Sequence, residues 1–171
     1  MEVLLDIYKA KSGDKEAFSH IIQKYERTLY AVARARVSNE NDVNDVVQET
    51  VINMYLNISK LKDISKFNAW MIKILINNCN KYYLNSSKDK NNISYEELSE
   101  EHLKDNTIDE MSFNDIISFL DEDEKTIISL YYLNEYTTRE ISQMLNINES
   151  TLRSRISSIR GKIKKTLERG E

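Results

Sequence analysis

The segment Asn148 to Lys165, NESTLRSRISSIRGKIKK, gathers Arg153, Arg155, Arg160, Lys162, Lys164 and Lys165 among small hydroxyl residues. Guanidinium and ammonium groups beside Ser150, Thr151 and Ser154 make a surface that donates hydrogen bonds to anionic oxygen, the chemistry of phosphate and base-edge recognition. On a helix, Leu152, Ile156, Ile159, Ile163 and Leu167 share one face, which leaves Arg153, Ser157, Arg160 and Lys164 on another. Nothing comparable suggests catalysis. The chain has no glycine-rich phosphate loop and no Ser/His/Asp grouping, and its single cysteine, Cys79, has only His20 and His102 as possible soft-metal companions. No enzyme chemistry, metal or cofactor is expected. Cys79 falls in an apolar pattern and reads as core.

A cationic helix sits oddly on a chain of 171 residues with net charge -4, until the charge is divided by segment. Residues 1–84 carry 12 basic and 10 acidic side chains, residues 94–124 carry 1 and 12, and residues 149–171 carry 7 and 3. The basic end implies a polyanionic partner, and the acidic run implies a solvated connector. Proline is absent and glycine occurs three times, so turn-rich sheet folds lack their punctuation and an all-α fold is predicted. No run reaches membrane-spanning length, which leads to the expectation of a cytoplasmic protein without membrane insertion.

The elements that must position the basic face follow from apolar spacing. Val43, Val46, Val47, Thr50, Val51, Met54, Tyr55 and Ile58 form one stripe. Phe18, Ile21, Ile22, Tyr25, Leu29, Val32 and Ala33 form an earlier one, and Phe67, Trp70, Met71, Ile74, Leu75, Asn78 and Tyr82 a later one. With a short leader around Val3 to Ala10 these predict a helical bundle over 1–84. Residues 85–108 are rich in Asn, Ser and acid and predict a flexible acidic linker. Helices return over 109–171, at Phe113 to Leu120, Asp123 to Leu133, Thr137 to Leu145 and Asn148 to about Arg169.

The last two helices are sharply bounded. Thr137 with Glu140 three residues on fits a capping box, and Asn148 is a good N-cap. Only Asn146 and Ile147 separate the helices, and Asn146 falls where a left-handed backbone is needed. Ile141, Leu145, Ile147, Leu152 and Ile156 can then face inward, with the small Ser142 allowing close approach. This is a helix-turn-helix pattern, whose second helix enters the DNA major groove and presents its first turns to base edges.

Taken in order, GDKEAFSHIIQKY, DVNDVVQETVINMYLNI, KFNAWMIKILINNCNKYY and TTREISQMLNINESTLRSRISSIRGKIKK resemble the extracytoplasmic-function (ECF) sigma factors of bacterial RNA polymerase across nearly the whole chain. The resemblance implies a sigma-2-like bundle over 1–84 and a sigma-4-like helix-turn-helix domain over 109–171, joined by the linker. It implies that Asp42, Asp45, Gln48 and Glu49, which project away from the valine stripe, bind the clamp helices of core RNA polymerase. It implies that Lys60, Lys62, Ser65, Lys66, Lys73, Asn77, Asn80, Lys81 and Tyr83 meet the -10 element, with Trp70 used for packing. Thr138, Arg139, Ser150, Thr151, Arg153, Ser154, Arg155 and Arg160 would meet the -35 element. A flap contact is implied around Ile127 to Tyr136, the linker would thread the polymerase channel otherwise occupied by RNA, and an anti-sigma factor, often membrane-tethered, would cover these surfaces. This chain departs from the family by having fewer arginines along the -10 helix, where Ile76, Lys81 and Leu84 stand.

From the helix-turn-helix alone two further functions stay open. One is an operator-binding regulator that acts without core polymerase, and the other is an adaptor with no promoter specificity.

Overall fold

The computed structural model describes residues 2–90 and 113–169. These residues form α1 (Glu2–Lys11), α2 (Lys15–Arg36), α3 (Glu40–Asn57), two single 3₁₀ turns, α4 (Phe67–Lys90), α5 (Phe113–Ile117), α6 (Glu122–Ile128), α7 (Thr138–Leu145) and α8 (Glu149–Arg169). A π-helical turn, Ser129–Leu133, continues α6. No strand occurs among the described residues, as the composition predicts.

Short-range chemistry sets the helix ends. Asp14 Oδ1 accepts from the Ala17 amide at 3.0 Å to start α2, and Asn39 accepts from the Asn41 and Asp42 amides to start α3. Reciprocal capping boxes open α6 (Asp121 with Glu124) and α7 (Thr137 with Glu140). Between α1 and α2 the chain turns through Gly13 at φ +97°, where a side chain would meet open space, so the requirement there is conformational rather than steric. The helix that the apolar pattern ends near Leu84 runs on to Lys90, because no glycine or proline interrupts it.

α1 to α4 pack as the predicted bundle around Leu29, Val32, Val43, Val46, Met54, Phe67, Met71, Ile72 and Leu75, each at most 3% exposed. Two polar residues on the inward stripes satisfy one another there. Asn78 Nδ2 donates to Thr50 Oγ1 at 3.0 Å, and Asn78 Oδ1 accepts from Asn53 Nδ2 at 3.2 Å. Cys79 is fully buried in this core, as expected, and burial pushes its thiol up to about 11. One expectation fails on this helix pair: Tyr55 is 45% exposed, packed edge-on against Phe18 at 5.1 Å, because it lies at the margin of the stripe whose centre, Met54 and Ile58, is buried.

The two halves do not stand apart. α6 and the π-turn pack on α2, α7 packs on α4, and the buried side chains of both halves join in one core. Arg36, 5% exposed, spans the junction. Its Nη1 donates to the Glu122 carbonyl (2.9 Å) and to Thr126 Oγ1 (2.8 Å), its Nη2 donates to Asn80 Oδ1 (3.1 Å), and Asp123 Oδ1 lies 3.7 Å away. Thr28 Oγ1 and the Tyr136 hydroxyl share a second link at 3.1 Å.

Candidate nucleic-acid interface

The helix-turn-helix is built by local rules. Asn146 ends α7 at φ 53°, ψ 46°, the left-handed conformation expected of it, and the Ile147 amide returns to the Ser142 carbonyl at 3.0 Å. Asn148 Oδ1 then accepts from both the amide (2.9 Å) and the hydroxyl (2.8 Å) of Ser150, capping α8. Leu152, Ile156 and Ile159 are buried against Ile141 and Met144, while Ser142 at the crossing is 8% exposed. That packing fixes the rotation of α8. Ser150, Thr151, Arg153, Ser154, Arg155 and Arg160 are therefore exposed, together with Arg139 on α7, and Thr138 is half-buried at the start of α7.

Within this face one residue was not foreseen. Glu149 Oε1 accepts from Arg153 Nη2 at 2.7 Å and from Thr138 Oγ1 at 3.0 Å, tying α8 to α7. The hydrogen bond from Arg153, then that from Thr138, holds the carboxyl below the usual carboxylate range. The four-residue spacing between Glu149 and Arg153 was the available signal. Further along α8, Arg160 points to the π-turn. Its Nε donates to the Tyr132 hydroxyl at 2.8 Å and its guanidinium carbon lies 5.3 Å from the Tyr131 ring centre. The hydrogen bond to Tyr132 raises the Arg160 pKa further.

On the other half, Lys60, Lys62, Ser65, Lys66, Lys73, Asn77, Asn80, Lys81 and Tyr83 are all exposed. Lys60 Nζ reaches Asn57 Oδ1 at 2.9 Å. Asp63 Oδ1 accepts from the Ser65 hydroxyl (2.6 Å) and amide (2.9 Å), and these bonds, the hydroxyl's first, lower the Asp63 pKa. A cleft of about 1000 Å³ separates Lys62, Lys66, Lys73 and Asn77 from Gln143 of α7 and the Asn146 that caps it, with Trp70 in its wall, tilted against Phe67. Other members of the set are engaged within the protein. Asn80 receives Arg36, Lys81 Nζ pairs with Glu49 Oε1 at 2.7 Å, and the Tyr83 hydroxyl donates to the Arg36 carbonyl. Burial is the first cause that raises the Tyr83 hydroxyl's pKa.

α3 presents Asp45 and Gln48 fully outward, whereas Asp42 and Glu49 are half-buried and receive Tyr82 and Lys81 of α4. The same helix also exposes Ile52 and Leu56, at 57% and 63%. In the segment Ile127 to Tyr136 the structure buries Ile127, Ile128 and Leu130 completely or nearly so and leaves Tyr132 47% exposed. The apolar part of that segment thus belongs to the core. No group of side chains suited to a metal ion, and no helix long and apolar enough to cross a membrane, occurs among the described residues.

Comparison with known proteins gives this arrangement a family. The model of sigma-70 region 2 matches residues 21–88, and that of sigma-70 region 4 matches residues 110–163. The ECF RNA polymerase sigma-E factor of Haemophilus influenzae is 27% identical over 180 residues, covering 95% of this chain and 93% of its own length. The ECF RNA polymerase sigma factor SigW of Bacillus subtilis is 26% identical and covers 98% of each chain. Among solved structures, CnrH in complex with the cytosolic domain of CnrY superposes with a TM-score of 0.75 at 19% identity, over 100% of both chains. The sigma factor RpoE of Bartonella quintana, solved with the anti-sigma factor NepR, gives 0.64 at 20% identity over 88% of this chain and 96% of its own. Two helical blocks in the order region 2 then region 4, with a capped helix-turn-helix in the second, place this chain in the sigma-70 family as an ECF sigma factor.

Proposed function

We propose that the chain binds core RNA polymerase and directs promoter-specific initiation, with residues 1–84 and 109–171 as its two working units. The observation that carries this is the pairing of an outward acidic face on α3 with an outward basic face on α8, each fixed by a buried apolar stripe behind it. Asp45 and Gln48, with Asp42 and Glu49 at the margin, form the surface for the polymerase clamp. The exposed lysines before α4 and along it serve the -10 element, and the start of α8, with Thr138 and Arg139, serves the -35 element. Arg160 supports that face from its seat on Tyr131 and Tyr132, and Tyr132 is the exposed group available to the flap. The protein performs no reaction of its own; catalysis belongs to the polymerase, in the cytoplasm where that enzyme works.

Geometry adds a requirement. The two promoter elements lie about 25 base pairs apart, or roughly 85 Å at ~3.4 Å per base pair. A compact chain of this size has a radius of gyration near ~15 Å. The packed form cannot reach both elements, so α6 must leave Arg36 and α7 must leave α4 before both faces engage. A stretch as long as 91–112 reaches at most about 75 Å at ~3.4 Å per residue, which suffices once each unit's own width is added. The packed form is also the one an inhibitor would hold, and an anti-sigma partner, membrane-tethered or free, is proposed on the strength of the Bartonella complex.

The test separates the two surfaces. Reversing charge at Asp45 and Glu49 should lower affinity for core polymerase, and Arg153→Ala should weaken use of the -35 element with polymerase affinity intact. Unchanged titration of the first variant would remove α3 from the proposal. An operator-binding regulator would bind its site at full affinity without polymerase.

A further inference from the structure

We propose that Glu149 positions Arg153 for reading a base and so sets the sequence discrimination of α8; this rests on the assignment of α8 to DNA. Arg153 is 69% exposed and carries a long, rotamer-rich side chain that in isolation would drift to the nearest phosphate. Glu149 lies one helical turn before it on the same face, and a single oxygen, Oε1, takes both Arg153 Nη2 and the Thr138 hydroxyl. The carboxylate is therefore gripped from two helices. Its position follows the framework of the helix-turn-helix, and the arginine follows the carboxylate.

The tie leaves the reading chemistry intact. A guanidinium has five N–H donors, and the bond to Glu149 uses one of them. The second N–H of Nη2 remains, and with the N–H that runs parallel to it, on Nη1 or Nε, it can donate a pair to the O6 and N7 acceptors of guanine in the major groove. A carboxylate in that place also repels phosphate, so it weakens sequence-independent attraction while steering the arginine toward base edges. The ordinary alternative is a surface ion pair that merely supports the first turns of α8. The link to Thr138 on α7 distinguishes the two, because helix support needs no partner outside α8. The depressed carboxyl pKa agrees with a group that stays ionised in use.

Selection of transcripts by the full-length protein with core polymerase, on a promoter library randomised in the upstream element, reads the preference at each base pair. Arg153→Ala should erase the preference at one base pair, a loss of about 5- to 100-fold given what a bidentate arginine is worth. Glu149→Ala should cut the preference at that same base pair by about 3- to 10-fold while binding to unrelated DNA rises, because a freed arginine then grips phosphate. Glu149→Gln keeps the shape and an acceptor oxygen, so it should fall between wild type and Glu149→Ala. The double variant should match Arg153→Ala alone, since the two act as one unit.

A Glu149→Ala profile identical to wild type, or one weakened equally at every position, would overturn the proposal. So would a loss at a different base pair from that of Arg153→Ala, since Glu149 would then read a base itself. If Arg153→Ala also leaves every preference unchanged, the assignment of α8 to the -35 element fails instead.

Discussion

α4 and α8 both carry cations that we assign to DNA, yet the structure treats them differently. On α8 the reading face is open: Glu149 ties Arg153 within that face, and Arg160 is seated on Tyr131 and Tyr132 further along. On α4 the opposite holds: Asn80 and Lys81 are spent on Arg36 and Glu49, and the face bearing Lys73 and Asn77 looks across a cleft at α7. Both surfaces are exposed, but part of the α4 set is engaged within the protein. The difference arises from burial, since Arg36 joins three helices in a dry junction while every ion pair of α8 lies near water.

The largest expected effect therefore belongs to Arg36. Arg36→Ala removes the charged donor from the Glu122 carbonyl and the Thr126 hydroxyl, which keep their bond to each other, and leaves Asn80 to water; it should cost about 3 kcal/mol in urea unfolding, given about 1.5–3 kcal/mol for a hydrogen bond to a charged group. Arg153→Ala, on the open face, should stay within about 0.5 kcal/mol. Equal costs would erase the contrast between the junction and the reading helix.

Alkaline pH probes the buried side of α4. The Cys79 thiol is pushed up from 9.0 to about 11 and the Tyr25 hydroxyl from 10.0 to about 12, in both cases chiefly by burial. Each group ionises first in the unfolded chain, so the unfolded state binds fewer protons above its ordinary pKa and stability falls as pH rises. The Cys79 contribution is whole below pH 9 and is lost on the way to about 11. Cys79→Ala should flatten that part of a stability profile, and an unchanged slope between those values would remove the thiol from the account.

A small effect of opposite sign lies on α8 itself. Gly161 is helical, with no neighbour within 4 Å of an added Cβ, so Gly161→Ala should stabilise by about 0.5–1 kcal/mol in thermal unfolding and leave DNA preference alone. A change in preference would show that the end of α8 takes part in reading.

These contrasts also mark what could be read without coordinates. The valine stripe of α3, the Thr137–Glu140 box, the left-handed Asn146 and the inward set Leu152, Ile156 and Ile159 are consequences of neighbours within a few residues, and each was foreseen. The pairing of Asn78 with Thr50 was half visible, as polar residues standing on two apolar stripes. The junction was invisible. Arg36 meets Thr126 across 90 positions, and no periodicity within α2 distinguishes a buried arginine from a solvated one. Exposure of Tyr55 was hidden for the same reason, since it keeps the helical spacing of the core stripe but lies at its margin, beside the buried Met54 and Ile58. For the candidate site, the outward placement of the basic residues of α8 was legible, but the part of Glu149 within that face was not. The engagement of Lys81 by Glu49 and of Arg160 by two tyrosines depends on packing between helices that no local pattern records.

The central claim is that two faces of one chain serve polymerase and promoter together. Run-off transcription from a promoter library with purified core polymerase tests it most directly. The account predicts discrete start sites that require both core polymerase and this protein, sharing two sequence elements a fixed distance apart. Transcription that gains no start-site specificity on adding the protein, beside tight operator binding by the protein alone, would contradict it.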